Sequence, residues 1–307
     1  MNPKIDLLGI EELAAKDITQ YLDTAEKFLE ILERPIPIIP ALRGKTILML
    51  FFEPSTRTMI SFSMAAKRLS ADVVNFSTTS SSVKKGETLL DTARNIEAMK
   101  VDGVVVRHPA AGAAKFLAER IDSFVVNAGD GSHEHPTQAL LDIMTMAHHF
   151  PAVKGLRVLI VGDITHSRVA RSNIFGLKKL GADVVLCSPP TLLPYGIEEL
   201  GVEISHDLDK IIGDFDVVMA LRIQLERQEK GLFPSAREYR NLYGLTTDRV
   251  KKMKPKGIIM HPGPTNRGLE IDPEVADGPK SVILEQVKNG VAMRMAVLFI
   301  LAGGKIE

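Results

Sequence analysis

Short apolar runs of strand length alternate with helix-period stretches along nearly the whole chain, and this alternation restricts the fold more than any other feature. Runs at 46–52, 72–76, 102–107 and 123–127 read as strands. Helical patterns lie between them at 59–70, 87–99 and 110–120, and a long one follows at 136–149. Pro151 and Gly155 then punctuate the chain, and a second series opens with a strand at 156–161 and continues at 183–187, 202–205, 215–220 and 257–260. Strands alternating with helices build parallel sheets, and 307 residues suffice for two domains of ordinary size. The expected fold is therefore α/β, with two doubly wound domains, mainly parallel sheets, and an active site in the interdomain cleft. The first domain is expected over 1–150 and the second over 151–282, with an apolar C-terminal helix at about 283–307 packing back on the first. Ligands of such sheets sit beyond the carboxyl ends of the strands.

Composition narrows the ligand. Lysine plus arginine and aspartate plus glutamate balance at 38 each, so no basic excess exists for broad nucleic-acid binding. An anion would have to be selected by a local cluster of arginines. The single cysteine, Cys187, excludes an intrachain disulfide, fits a reducing cytoplasm and reads as a buried structural thiol. The first residues lack the basic-then-apolar order of a signal peptide, and the apolar run at 296–302 is too short to span a bilayer. The expectation is a cytoplasmic protein with neither a membrane nor a nucleic-acid partner.

The polar motifs cluster at strand ends. Strand 46–52 runs through Glu53-Pro54 into Ser55, Thr56, Arg57 and Thr58, and a helical pattern starts at once. Free backbone N–H groups, the positive helix end, three hydroxyls and a guanidinium converge there, which reads as a phosphate cradle. It is not a P-loop, because no G-x-x-x-x-G-K-[ST] pattern occurs. A plain helix N-cap would also use Ser or Thr, but it has no need of Arg57. Arg107 ends the strand at 102–107 and adds a second positive charge, with a surface salt bridge as its alternative role. After strand 123–127 a small-residue loop at 127–132 leads to His133-Glu134-His135-Pro136-Thr137-Gln138. Proline suits the first helical turn, placing His135 just before it and Gln138 within it. Their N–H groups can donate to a polarised carbonyl or an amide-bearing ligand. His133-x-His135 also has the spacing of a two-histidine metal site in an amide hydrolase. Against that, His148 and His149 lie roughly 20 Å along the same helix at 1.5 Å per residue.

The loop at 77–87 is polar and basic, with Lys84, Lys85 and Gly86, and would ordinarily be a solvated connector. In the second half, strand 156–161 enters Gly162-Asp163 without a G-x-G-x-x-G pattern, so a nicotinamide cofactor is not expected. This turn instead presents Arg168 near a helix start, and the strand at 215–220 leads to Arg222 and Gln224. Guanidinium forks bind carboxylates bidentately, so two such arginines suit a dicarboxylate. His261-Pro262-Gly263-Pro264 follows the last strand, and its backbone carbonyls can accept from an N–H₂ group.

Taken in order, Ser55-Thr56-Arg57-Thr58, Arg107-His108-Pro109, His135-Pro136-Thr137-Gln138 and His261-Pro262 resemble the transcarbamoylase family over almost the whole chain. Lys84-Lys85-Gly86-Glu87-Thr88, Arg222-x-Gln224 and the His-Pro-Gly-Pro turn resemble its aspartate branch. The ornithine branch would show a His-Cys-Leu-Pro turn and a Ser-Met-Gly loop. The resemblance implies that residues 1–150 bind carbamoyl phosphate and 151–282 bind L-aspartate. Ser55, Thr56, Arg57, Thr58 and Arg107 would hold the phosphate, and Thr58, Arg107 and His135 would polarise the carbonyl. Gln138 and the backbone at Gly263 and Pro264 would take the amino group, and Lys85, Arg168, Arg222 and Gln224 the aspartate. It also implies a homotrimer with shared sites, each lending Ser81 and Lys85 to its neighbour, and neither cofactor nor metal. It leaves open a regulatory chain or a dihydroorotase as partner, and another amino acid as acceptor. Two positions depart from some relatives: Gly263, where a bulkier residue occurs, and Glu134, where a neutral one does.

Overall fold

A computed structural model describes residues 4–77, 88–223 and 235–304. The chain divides into two compact units, Met1–Leu141 with Lys288–Glu307 and Asp142–Val287. The first unit contains α1 (Ala15–Leu32), β1 (Thr46–Phe51), α2 (Thr56–Arg68), β2 (Asp72–Ser77), α3 (Leu89–Ala98), β3 (Gly103–His108), α4 (Ala113–Ala118) and β4 (Phe124–Asp130). Next comes α5 (Pro136–His149), which runs across a unit boundary. Its four strands are all parallel, in the order β2-β1-β3-β4. The chain thus steps outward from β1 to β2 and then back past it to β3 and β4. That reversal is the topological switch point at which α/β sheets bind ligands. Five of the six β1 residues are buried, as a strand covered on both faces requires.

The second unit contains β5 (Arg157–Val161), α6 (Arg168–Lys179), β6 (Asp183–Cys187), β7 (Glu203–Ser205), α7 (Leu208–Ile211), β8 (Val217–Ala220), α8 (Ala236–Tyr243), α9 (Thr247–Lys252), β9 (Ile258–Met260) and α10 (Pro273–Ala276). The last helix, α11 (Ile283–Leu301), crosses the second boundary. The five strands are again all parallel, in the order β7-β6-β5-β8-β9, with the reversal beside β5. Hydroxyl and carboxylate caps start the helices: Ser167 accepts from Ala170 N, Ser235 from Glu238 N, Thr246 from Arg249 N and Asp207 from Lys210 N. Cys187 is buried in β6, and burial pushes its thiol up to about 12.

Each unit has its own apolar core. In the first, Leu48, Leu50, Val104, Val106 and Val125 of the sheet pack with Ala93, Ile96, Ala114 and Leu117 of α3 and α4. The segment from Lys288 onward belongs to this unit. Phe299 of α11 meets Phe28 of α1 edge to face at 5.5 Å, and Arg294 donates to Ser61 Oγ at 2.8 Å with its guanidinium 5.1 Å from the Phe62 ring. In the second unit, Leu159, Val161, Val218, Ala220 and Ile259 of the sheet pack with Tyr239, Tyr243 and Leu245.

Among the differences from the expected elements, α1 and the end of β4 matter most for the first unit. Helix α1 was not anticipated, although Ile18, Tyr21, Ala25 and Phe28 bury one face at helical spacing. Strand β4 runs three residues past the expected end, to Asp130. There the strand is held through Asn127, whose Nδ2 donates to Leu8 O at 2.8 Å and to Asp130 Oδ1 at 2.7 Å, while its Oδ1 accepts from Gly129 N at 2.8 Å. A side chain that satisfies neighbouring backbone groups lets a Gly-containing segment keep strand pairing.

Two predictions follow from this packing. Phe28→Ala removes a side chain that is 2% exposed and should cost about 3–5 kcal/mol, read as a lower denaturation midpoint; an unchanged midpoint contradicts the docking of α11 on α1. Burial holds the His108 imidazole below its ordinary value of 6.5. The unfolded chain therefore takes up that proton more readily, and the stabilising contribution, present above the ordinary value, is lost as pH falls through the folded one. Stability should drop as pH falls from the ordinary value of 6.5 through the lower folded one, and His108→Asn should flatten the slope while offering Ala110 N an acceptor; an identical slope in that variant contradicts the assignment.

Candidate active site

The carboxyl ends of β1, β3 and β4 lie side by side, because Phe51 is in register with Arg107 and His108 with Asp130. At the end of β1, Ser55 occupies the N-cap of α2 yet makes no side-chain capping bond, so the helix does not consume its hydroxyl. No acidic residue stands in the first turn, and Thr56 and Arg57 are exposed while Thr58 is 9% exposed. A helix start without a carboxylate leaves its positive end to an external anion. Phe52 N donates to Arg107 O at 2.8 Å, tying this turn to β3. Arg107 Nε lies 3.3 Å from Glu53 Oε2, and Nη1 donates to Ala128 O at 3.3 Å. The guanidinium is thus aimed by a residue just past β1 and by a backbone carbonyl of β4. Glu53 is a participant that its place in the sequence, at the end of an apolar run, does not announce.

The β4–α5 connection is fixed by Asp130, which is 2% exposed. Its carboxylate accepts from Gly112 N at 2.7 Å, Asn127 Nδ2 at 2.7 Å and Glu134 N at 3.2 Å, with His133 Nδ1 3.1 Å away. Pro136 opens α5, and His135 O accepts from Gln138 N at 3.0 Å. His135 and Gln138, 4% and 8% exposed, therefore sit together at a helix start next to the Arg107 strand. Among the described residues, the group of side chains close enough to share an ion is Glu11, His133 and Glu134, which leaves out His135. Asp130 holds His133 through Nδ1, and His135 is buried at the helix start.

The second unit has a matching edge. Val161 is in register with Ala220 and Met219 with Met260, so the turns after β5, β8 and β9 are neighbours. Gly162 has a φ of +130°, and a Cβ there would lie 3.1 Å from both Cβ and O of Leu221, so glycine permits the close approach of the β5 and β8 turns. Asp163, fully buried, accepts from His166 N at 3.1 Å and His166 Nδ1 at 2.9 Å. Arg168, 6% exposed, is the first residue of α6, and Arg222 is half-buried just beyond β8. Asn266 Nδ2 donates to Ile223 O at 3.0 Å, joining the loop after β9 to the one after β8. His261 Nδ1 accepts from Gly263 N at 2.8 Å, so Nε2 carries the proton toward Glu270 Oε1 at 3.2 Å. Gly263 has a φ of +66°, a conformation that glycine adopts without strain. Ser81, Lys84, Lys85, Gly86 and Gln224 lie outside the described residues.

Comparison with known proteins also divides the chain into two parts, with the boundary between 148 and 154 and with residues 288–301 counted in the second. Residues 5–148 match the model of the aspartate/ornithine carbamoyltransferase carbamoyl-P binding domain, and 154–301 that of the Asp/Orn binding domain. The chain is 60% identical to the aspartate carbamoyltransferase catalytic subunit of Halothermothrix orenii, over 98% of this chain and 96% of that one. It is 58% identical to the subunit of the same name from Syntrophotalea carbinolica, over 97% and 96%. Among solved structures, aspartate transcarbamoylase from Trypanosoma cruzi in complex with carbamoyl phosphate and aspartate superimposes with a TM-score of 0.87 at 31% identity, over 96% and 95% of the two chains. Ornithine carbamoyltransferase from Pyrococcus furiosus gives 0.86 at 32%, over 98% of each. Backbone likeness therefore does not distinguish the two branches, whereas the 60% and 58% relatives are both aspartate enzymes. The chain belongs to the aspartate/ornithine carbamoyltransferase family.

Proposed function

We infer that this chain transfers the carbamoyl group of carbamoyl phosphate to the amine of L-aspartate, giving N-carbamoyl-L-aspartate and phosphate in pyrimidine synthesis. The observation that carries this reading is full-length identity near 60% to aspartate carbamoyltransferase catalytic subunits. The carboxylate-free start of α2 beside Arg107 supports the phosphate end of it.

In this reading Ser55, Thr56, Arg57 and Thr58 grip the phosphate with Arg107, and Thr58, Arg107 and His135 donate to the carbonyl oxygen. Gln138 and the backbone at Gly263 and Pro264 orient the carbamoyl N–H₂. Lys85, Arg168, Arg222 and Gln224 hold the aspartate carboxylates. The aspartate amine, as the free base, attacks the carbamoyl carbon; the C–N bond forms, the C–O bond to phosphate breaks, and the amine's proton leaves with solvent or phosphate. Catalysis then rests on bringing two anions together and on donors aimed at the developing oxyanion. A homotrimer with Ser81 and Lys85 supplied by the neighbour fits the apolar surface of the first unit, where Ile36 is 75%, Ile38 56% and Ile60 53% exposed. Among the described residues no helix is long and apolar enough to cross a membrane, which fits the cytoplasmic assignment.

The assay is product formation from carbamoyl phosphate with L-aspartate or L-ornithine as acceptor. Turnover with aspartate and none with ornithine is expected; the reverse moves the chain to the other branch. Arg107→Ala should lower turnover about 100- to 1,000-fold or more, the loss typical of one oxyanion donor, and near-normal turnover refutes its role. Activity should survive exhaustive chelation, whereas loss restored by a divalent ion would return the two-histidine hydrolase.

A further inference from the structure

Glu134 stands beside His135, yet the reaction above gives it nothing to do. It is 1% exposed, and burying a carboxylate is costly where an apolar side chain would fill the space. Its oxygens reach back across the sequence: Oε2 accepts from Ile10 N at 2.7 Å and Oε1 from Glu11 N at 3.1 Å. A Cβ at Gly9 would lie 2.3 Å from Oε1, so glycine keeps the carboxylate's place open. The segment it grips is itself stitched to β4, with Leu7 N donating to Val125 O and Asn127 N to Leu7 O, both at 2.9 Å. Glu134 N donates to Asp130 Oδ1 at 3.2 Å, and Glu134 O accepts from Asp130 N at 3.3 Å. The residue is therefore fastened through both backbone and side chain, one peptide before His135.

We propose that Glu134 is a positioning residue for His135, its carboxylate clamping the β4–α5 connection to residues 7–11 and so fixing where the imidazole meets the carbonyl oxygen. This rests on the reading of His135 as a donor to that oxygen. The carboxylate grips Ile10 N and Glu11 N, whereas the residues assigned to phosphate stand at the ends of β1 and β3, so its loss acts on turnover more than on anion binding.

The test uses the intact enzyme, assayed well below each variant's unfolding temperature. Glu134→Ala should lower kcat about 100-fold, the scale of a 1 Å misplacement, with KM for aspartate changed less than about 3-fold. Glu134→Gln, which keeps one acceptor, should restore about a tenth of wild-type kcat. Gly9→Ala, which pushes on the carboxylate from the far side, should match the Gln variant. Affinity for inorganic phosphate should be unchanged throughout, and Glu12→Ala, an exposed neighbour paired with Lys115 at 3.6 Å, should behave as wild type. Wild-type kcat in Glu134→Ala or Gly9→Ala overturns the proposal, as does a loss shared equally by kcat, KM and phosphate affinity. If Glu134→Ala does not fold, Glu134→Gln and Gly9→Ala decide. A wild-type enzyme that makes no carbamoyl aspartate would instead overturn the functional reading itself.

Discussion

Parallel strand pairing is the constraint on which the other features of this molecule depend. Every pairing between described strands in both sheets is parallel, so within each sheet all carboxyl ends reach the same edge. Side chains as far apart in sequence as Ser55, Arg107 and His135 become neighbours because β1, β3 and β4 are hydrogen-bonded in that order. The second unit repeats the arrangement with β5, β8 and β9, which bring the turns bearing Arg168, Arg222 and His261 to one edge. The reversal of strand order beside β1 and beside β5 opens the crevice that such sheets use for ligands.

In a chain of zero net charge, a positive group can be offered to a ligand only by being aimed, not by being accumulated. Arg107 is steered by Glu53 and Ala128 O, and the loop behind His135 is tied by the several N–H groups that donate to Asp130. Fixed donors and dipoles lower a barrier without reorganising during the reaction. The buried carboxylates are the supports of this arrangement. Asp130, Glu134 and Asp163 each accept from backbone N–H groups, which secures loops that would otherwise move.

What could be read from the sequence was what is local. Apolar runs such as 46–51 and 183–187 announce strands because both faces are covered, and Pro136 marks the start of α5. The Ser55–Thr58 loop, the Arg107 strand end and the His135 helix start are each contiguous, so their residue types are visible in a few letters. The supports are not local. Glu53 meets a guanidinium 54 positions later, and Glu134 meets the N–H of Ile10 across 124 positions. Read in isolation, a carboxylate beside an anion site looks like repulsion, and its role emerges only with its partner. Helix α1 escaped for a related reason: its apolar face is covered in part by Phe299, from the other end of the chain.

The reaction is a direct transfer of the carbamoyl carbon from an acyl phosphate, a mixed anhydride, to an amine. Incubating the enzyme with ¹³C-labelled carbamoyl phosphate and ¹⁵N-labelled L-aspartate, and following the ¹³C signal by NMR, observes the bond itself. The predicted result is a new ¹³C resonance split by one-bond coupling to ¹⁵N, growing with enzyme and in step with inorganic phosphate. Phosphate release with the label recovered only as carbamate or bicarbonate would contradict the account.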